Sequence, residues 1–338
     1  MKETILITGV SGQDGSILAR DLIKLGKNVV GTFRRGKSTS MWRLKEMKIF
    51  HDLNLVELDL SDQIETLRVL DKFSPSKIYH LAGDGFVADS FNHPKRTFDA
   101  NLNTTITLLE AIRYRKSDIW TFLASSSEIF SGLKEEFVNE LTNFKTLNPY
   151  GISKIACLEL ANIYIKLYGL SIATGIFFNH ESPWRSNNYV AKKVSYNIAR
   201  FKKGQNEPFF LGNLNVSRDW SSAEDFVKAL IKLGNKKSIG DFIFASGKKT
   251  YLREFIVEMG KAADFELFFV GDGKDEKCIE RKSGQIICKV SDKYFRTYDT
   301  PGKIGDATKL KNEINWEVTQ SIEEIAKSML YNDLQRLN

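Results

Sequence analysis

The apolar run Ile5-Leu6-Ile7 leads directly into Thr8-Gly9-Val10-Ser11-Gly12-Gln13-Asp14-Gly15, and no other stretch of the 338 residues limits the fold as strongly. The run has the make-up of a buried strand, and the glycine-rich segment after it reads as a turn that opens a helix. Glycines at 9, 12 and 15 permit a tight turn, close backbone approach to a pyrophosphate and close helix–strand packing, while N–H groups at the helix start face the anion. The GxxGxxG spacing is a weak signal alone. Its weight comes from the pattern of the next 160 or so residues.

Residues 1 to about 170 repeat a strand-then-helix alternation. Strands are expected at 4–7, 28–32, 55–58, 77–80, 119–124 and 171–177, with helices at 16–25, 63–73, 98–114 and 150–167. Such alternation makes a doubly wound parallel sheet with helices on both faces, an α/β fold whose ligands sit beyond the carboxyl ends of the strands. After residue 178 the pattern loosens. Helices are expected up to Phe201 and at 223–233, 252–262 and 322–330, with a short strand at 208–212 and an irregular basic region between the last two helices. The reading is residues 1–177 as a dinucleotide-binding domain, with about 214–247 able to rejoin it, and 178–338 mainly as a smaller substrate lobe.

Composition narrows the function. With 42% hydrophobic and 27% charged residues and no bilayer-length apolar run, the chain reads as a soluble globular protein. Met1-Lys2-Glu3 passes straight into a strand, so no secretory leader and a cytoplasmic location are expected. Cys157, Cys278 and Cys288 lack CxxC or Cys/His metal spacing, so neither a disulfide framework nor a metal site is expected. The net charge of +7 is spread among acids in every region, which disfavours nucleic acid and suits a phosphate-rich small molecule.

Three constellations carry chemistry. Gly31-Thr32-Phe33-Arg34-Arg35-Gly36 follows the second strand, where a dinucleotide's adenosine ribose is read, and two arginines there favour a 2′-phosphate, hence NADP over NAD. Asp59 and Leu60, after the third strand, are candidates for the adenine. Tyr150 and Lys154 stand four apart on a helix, so a cation can sit near a phenol whose ordinary pKa is about 10 and favour its loss of a proton. Ser126 is expected just beyond the fifth strand, able to hydrogen-bond the substrate hydroxyl that Tyr150 deprotonates. Glu128, two residues on, suggests a second proton transfer, since hydride transfer needs no carboxylate.

These residues resemble the extended short-chain dehydrogenases/reductases, with their Rossmann fold, and within them the GDP-mannose 4,6-dehydratases. The similarity continues through Phe178-Asn179-His180-Glu181-Ser182-Pro183, Leu211-Gly212-Asn213-Leu214, Arg218-Asp219-Trp220, Lys293-Tyr294-Phe295-Arg296 and Gly305-Asp306. It implies that Ser126 stands where the family usually has Thr, that Glu128 is the acid/base, and that Tyr150 and Lys154 form the redox pair. It further implies that Asn179, Arg185, Lys193, Arg218 and Arg296 contact the nucleotide diphosphate, that NADP is tightly bound and regenerated, and that the protein is a homodimer or homotetramer. Where the resembled family reads Ala-Ala-Gln-Ser-His-Val, this chain has Ala82-Gly83-Asp84-Gly85-Phe86-Val87, so a hydroxyl expected near the sugar is missing at Gly85. Trp184 replaces a common Arg, and Phe130 a Tyr. The expected reaction is 4,6-dehydration of GDP-mannose or a related GDP-sugar such as a heptose. A 4-dehydrogenase, reductase or epimerase on the same scaffold is the alternative, and a non-catalytic nucleotide-binding protein a remote one.

Overall fold

A computed structural model describes residues 2–34, 41–294 and 302–337. Arg35 and Arg296, two of the candidate site residues, lie outside the described residues. In chain order the first half runs β1 (Thr4–Thr8), α1 (Gln13–Lys24), β2 (Asn28–Phe33), α2 (Trp42–Glu46), β3 (Asn54–Glu57), α3 (Gln63–Phe73), β4 (Lys77–His80), α4 (Val87–Asn92), α5 (Pro94–Phe98), a π-helical turn at Asp99–Asn103 and α6 (Thr104–Tyr114). Next come β5 (Trp120–Ser126), β6 (Phe137–Val138), α7 (Pro149–Tyr168), β7 (Ile172–Phe177), β8 (Asn179–Glu181) and α8 (Val190–Lys202). The remainder is β9 (Phe209–Leu211), β10 (Ser217–Arg218), β11 (Trp220–Ser222), α9 (Ala223–Lys236), β12 (Gly240–Phe244), β13 (Thr250–Tyr251), α10 (Leu252–Ala262), β14 (Leu267–Val270), β15 (Lys277–Glu280), β16 (Ile286–Val290), β17 (Ile304–Gly305), α11 (Thr308–Ile314) and α12 (Ile322–Arg336).

Seven strands form one sheet in the order β3-β2-β1-β4-β5-β7-β12, every neighbouring pair parallel. A parallel sheet covered on both faces buries both sides of its strands, which is why β1 reads as an unbroken apolar run. Ile5 and Ile7 join Tyr79, Trp120, Phe122, Phe226 and Leu230 on one face, while Leu6 joins Val30, Ile78, Leu108 and Ile112 on the other. The strand order reverses between β1 and β4, opening a crevice beyond their carboxyl ends.

The chain leaves this sheet after β7 and returns through α9 and β12, which pairs with β7 from Gly240↔Ala173 to Phe244↔Phe177. Between and after these returns it builds a second core. There α8, α10 and α12 pack through Val194, Ile198, Phe255, Ile256, Ile325 and Met329 against a four-stranded sheet, β14-β15-β16-β9. The stretch expected to be irregular therefore holds an antiparallel meander, β14 to β16, extended by parallel pairing of β16 with β9. Its strands are short and interrupted by turns at Gly271, Gly273 and Gly284, all at positive φ, which hid the alternation. Cys278 and Cys288, ten residues apart, face each other in the β15–β16 register as buried free thiols. No helix among the described residues is long and apolar enough to cross a membrane.

The expected helix at 98–114 stays helical throughout but carries a π-turn. The stretch 98–114 has the apolar spacing of a single helix, but the π-helical turn at Asp99–Asn103 rotates Asn101 toward the crevice. There Asn101 Oδ1 accepts from the Asp84 N–H at 2.8 Å and its Nδ2 donates to Ser153 Oγ at 3.0 Å. Such insertions do not disturb apolar spacing enough to be read from sequence.

Candidate active site

The crevice holds a cavity of about 480 Å3 whose lining includes Gly12, Gln13, Asp14, Gly85, Ser126, Glu128, Tyr150, Lys154, Asn179 and Arg185. Its floor is the glycine turn. Gly9 has φ +72°, and a Cβ there would meet Ala82 Cα at 2.8 Å. A Cβ on Gly15 would stand 2.5 Å from Gly9 O and 2.9 Å from Val10 Cα. Gly12 is the N-cap of α1 and no side chain caps that helix, so its first turn is left for an external acceptor. Gln13 and Asp14 pin the turn to β8. Gln13 Nε2 donates to the His180 carbonyl at 3.1 Å, Ser182 Oγ donates to Gln13 Oε1 at 2.8 Å, and Asp14 pairs with His180 Nε2 at 3.0 Å. Burial alone would raise the Asp14 carboxyl, yet the His180 contact and the Arg185 charge hold it below its ordinary value.

Ser126, Glu128, Tyr150 and Lys154 line the cavity as well. Ser126 ends β5 and its Oγ accepts from the Glu128 N–H at 3.3 Å, capping the short turn that carries Glu128. Glu128 Oε2 accepts from Asn148 Nδ2 at 2.8 Å. Asn148 is also the N-cap of α7: its Oδ1 accepts from the Gly151 N–H at 2.7 Å, and Pro149 in the first turn supplies a φ already suited to a helix. That helix presents Tyr150 and Lys154. Burial pushes the Tyr150 phenol above the usual range, and a hydrogen bond with Ser126 opposes that push. Lys154 Nζ donates to the Ala124 carbonyl at 2.8 Å and lies 5.8 Å from the Tyr150 ring centroid, its ammonium held below its ordinary pKa by burial. The phenol is therefore held protonated, and its direct partner is Ser126 more than Lys154.

The remaining sequence-selected residues are placed unevenly. Asn179 lines both this cavity and a small neighbouring one bounded by Glu128, Arg218 and Lys303. Arg185 is half-buried, 3.1 Å from Glu181 Oε2, with its guanidinium 3.6 Å from the Tyr189 ring centroid. Lys193 instead places its ammonium 3.7 Å over the Tyr294 ring, outside the main lining. Arg34 and Asp59 lie together at the exposed sheet edge. Hydrogen bonds from Ser61, and then the Arg34 charge, hold the Asp59 carboxyl low. Leu60 beside them is buried. Trp184 and Phe130, two of the departures from the family pattern, do not line the cavity. The Trp184 ring packs 6.2 Å from Trp42 with the Arg336 guanidinium 5.3 Å away, and Phe130 is core beside Phe144. Of the departures, those that line the cavity thus narrow to Gly83, Asp84 and Gly85.

Sequence reading missed Asn101, Asn148, Tyr189 and Arg43. Arg43, just beyond the undescribed stretch, is 6% exposed and donates to Trp184 O at 2.6 Å, Ser11 O at 3.0 Å and Ser186 Oγ at 2.9 Å. Burial, then the charges of Arg336 and Arg185, bring its guanidinium down to about 10. The Asn148-Pro149 pair at a helix start could have flagged Asn148; nothing in the pattern marks the other three.

The family model described as GDP-mannose 4,6 dehydratase matches residues 6–329. The GDP-mannose 4,6-dehydratase of Yersinia enterocolitica is 33% identical over 348 residues, covering 98% of this chain and 94% of its own. The human protein named GDP-mannose 4,6 dehydratase is 31% identical, with 99% and 92% covered. Among solved structures, a UDP-glucose 4-epimerase from Thermotoga maritima superposes with a TM-score of 0.83 at 22% identity, over 99% of this chain and all of that one. The RMD protein of Pseudomonas aeruginosa complexed with NADPH gives a TM-score of 0.77 at 21% identity over 99% of this chain and all of that one, and both likenesses concern the fold. By sequence over nearly its whole length, the chain belongs to the GDP-mannose 4,6-dehydratase family.

Proposed function

We propose that the chain is a nucleotide-sugar 4,6-dehydratase that converts a GDP-hexose, GDP-mannose or a related GDP-sugar, to the 4-keto-6-deoxy sugar nucleotide with loss of water. The observation that carries this reading is a carboxylate, Glu128, and a phenol, Tyr150, on adjoining elements of one cavity, each held by its own hydrogen-bond partner. The names of the curated relatives support the guanosine.

A nicotinamide dinucleotide fits the residues present. Side chains at Gly9 and Gly15 would fill the turn that a pyrophosphate approaches, and the uncapped start of α1 offers it N–H donors. Gly9, Gly12, Gln13, Asp14 and Gly15 would hold the pyrophosphate end, Asp59 and Leu60 the adenine, and Tyr150 and Lys154 the nicotinamide end. Arg34 at the close of β2, followed by Arg35, supports NADP over NAD. Bound there, the cofactor would supply a reversible hydride acceptor for the sugar, so that the oxidation at carbon 4 and the reduction at carbon 6 would need no outside reagent.

The protein's own groups move the protons. Tyr150 Oη receives the proton of the sugar's 4-hydroxyl, with Ser126 Oγ orienting that hydroxyl. Tyr150 accepts this proton only once its own has been shed, a loss that burial opposes and the Arg185 charge favours. The resulting ketone acidifies the proton on carbon 5. Glu128 removes it and then protonates the departing 6-hydroxyl, and Tyr150 finally gives its proton to carbon 5, so carboxylate and phenol both end as they began and one water is lost. Asn179, Arg185, Lys193, Arg218 and Arg296 are the basic and amide groups proposed for the diphosphate, with Asn179 and Arg218 best placed where the two cavities meet. An apolar face left open on α6 and α7, with Tyr114, Ile152, Ile163 and Leu167 exposed, supports assembly as a dimer or tetramer. The test is product mass. Wild-type protein with GDP-mannose and catalytic NADP is expected to yield a product lighter by one water without net reduction of NADP. A product lighter by two hydrogens, with NADP consumed in proportion, would refute it.

A further inference from the structure

Gly85 lacks the side-chain hydroxyl expected beside the sugar, and the structure brings another hydroxyl to the same place. Tyr189 Oη donates to the Gly85 carbonyl at 3.2 Å, and a Cβ built on Gly85 would stand 3.3 Å from that oxygen. Both residues line the cavity that holds Ser126, Glu128 and Tyr150. The Tyr189 ring is fixed from two sides, with the Arg185 guanidinium 3.6 Å from its centroid and Phe86 edge-on at 6.1 Å. Its backbone is fixed as well: Tyr189 is the N-cap of α8, its carbonyl accepting from the Lys193 N–H at 2.9 Å. A phenol whose proton goes to a backbone carbonyl keeps its oxygen lone pairs for another donor. Inside this cavity the donor to expect is a sugar hydroxyl.

We propose that Tyr189 is a specificity-determining residue for the hexose, its Oη accepting a hydrogen bond from a sugar hydroxyl in the space that the missing side chain at Gly85 leaves open. This rests on the GDP-sugar reading of the same cavity. The two positions are linked by space: a serine at 85 would crowd Tyr189 Oη, while phenylalanine at 189 would make room for it but remove the hydroxyl. Neither change alone should work, and the pair should.

The test is calorimetric binding of GDP and of GDP-mannose to protein saturated with NADPH, which withholds the oxidised cofactor needed for the opening step. Wild-type protein is expected to bind GDP-mannose more tightly than GDP. Tyr189→Phe should weaken GDP-mannose binding roughly five- to tenfold and leave GDP unchanged. Gly85→Ser alone should weaken GDP-mannose similarly, and the double variant Gly85→Ser/Tyr189→Phe should return to within about twofold of wild type. Wild-type protein that gains nothing from the hexose, Tyr189→Phe that binds it as wild type does, equal loss of GDP and GDP-mannose, or a double variant no better than the worse single would each overturn the assignment. Turnover separates the two claims. A hexose increment that depends on Tyr189 in a protein forming no dehydrated product leaves the assignment standing and removes the dehydratase reading; dehydrated product with an increment indifferent to Tyr189 does the reverse.

Discussion

Asn148 ties Glu128 to the helix that carries Tyr150: its Nδ2 donates to Glu128 Oε2 at 2.8 Å while its Oδ1 caps α7 through the Gly151 N–H at 2.7 Å. One amide thus sets the spacing between the carboxylate and the phenol. Serine at 148 can cap the helix but is too short to reach Glu128, whereas alanine does neither. Asn148→Ser is expected to unfold near the wild-type temperature and to lose about 10- to 100-fold in kcat with little change in KM. Asn148→Ala should show the same loss of rate and a further destabilisation of about 1 kcal/mol. Thermal unfolding and steady-state rates of the two variants check this, and equal kcat for wild type and Asn148→Ser would contradict it.

Glu128→Gln keeps the shape of the side chain and an acceptor for Asn148 but removes the proton carrier. Dehydration should fall by about 10²- to 10⁴-fold with the protein still folded and still binding GDP-mannose. If the 4-keto, undehydrated sugar accumulates transiently in this variant, Tyr150 is acting without Glu128, as the proposed division of labour requires. Unimpaired water loss would assign the acid/base to another group.

The glycine turn makes a graded prediction. A methyl at Gly15 meets backbone atoms at 2.5 Å and 2.9 Å, which cannot give way cheaply, whereas at Gly12 it meets only Gly9 O at 3.2 Å. Gly15→Ala should cost about 1–3 kcal/mol in stability, and Gly12→Ala much less. Both should weaken NADPH binding, followed by the cofactor's fluorescence, because both methyls enter the ground a pyrophosphate would approach. Tight NADPH binding by Gly12→Ala would remove the dinucleotide from this turn.

His80 lies buried under the cavity, its Nδ1 2.9 Å from Thr8 Oγ1 and its Nε2 3.4 Å from Thr105 Oγ1. Burial, with the Lys154 ammonium nearby, holds its imidazole down to about 3. A folded-state value below the unfolded one means the unfolded chain takes up a proton first as the solution is acidified. The stability that neutral His80 contributes is therefore fully present above about pH 6.5 and is lost progressively as the pH falls toward 3. Denaturant unfolding of wild type and His80→Asn between pH 7.5 and about 4 should show a shallower decline in the variant, which starts about 1–3 kcal/mol less stable. Parallel declines would mean that His80 takes up its proton over the same pH range in the folded and the unfolded chain.

Much of this architecture is legible in the sequence because a sheet buried on both faces writes itself as short apolar runs. Ile5-Leu6-Ile7 and Lys77-Ile78-Tyr79-His80 can be placed within a residue, as can the helices with clear caps, such as α3 behind Asp62, whose carboxylate accepts from Ile64 and Glu65 N–H. The meander of β14 to β16 escapes because its strands are short, edge-like and mixed with lysines. Among the site residues, Ser126, Glu128, Tyr150 and Lys154 can be nominated since each sits at a strand end or helix start that chemistry favours. Tyr189 and Asn101 cannot. Tyr189 acts only through a glycine 104 residues away, and Asn101 only through a π-turn that no apolar period reveals. Contacts across such distances are properties of the folded chain. The expected closeness of Lys154 to the phenol also needs the structure, since four-residue spacing brings two side chains to one face without saying that Ala124 O takes the ammonium.

Oxidation at carbon 4 and loss of water from carbons 5 and 6 are held to occur in a single site and to return every reducing equivalent to the same sugar. Mass spectrometry and NMR of the product from GDP-mannose deuterated at carbon 4, with NADP in catalytic amount, test this directly. The expected result is a 4-keto-6-deoxy product that keeps the deuterium, now on carbon 6, and no build-up of NADPH. Deuterium found in NADPH or in solvent, or a product that has lost two hydrogens but no water, would contradict it.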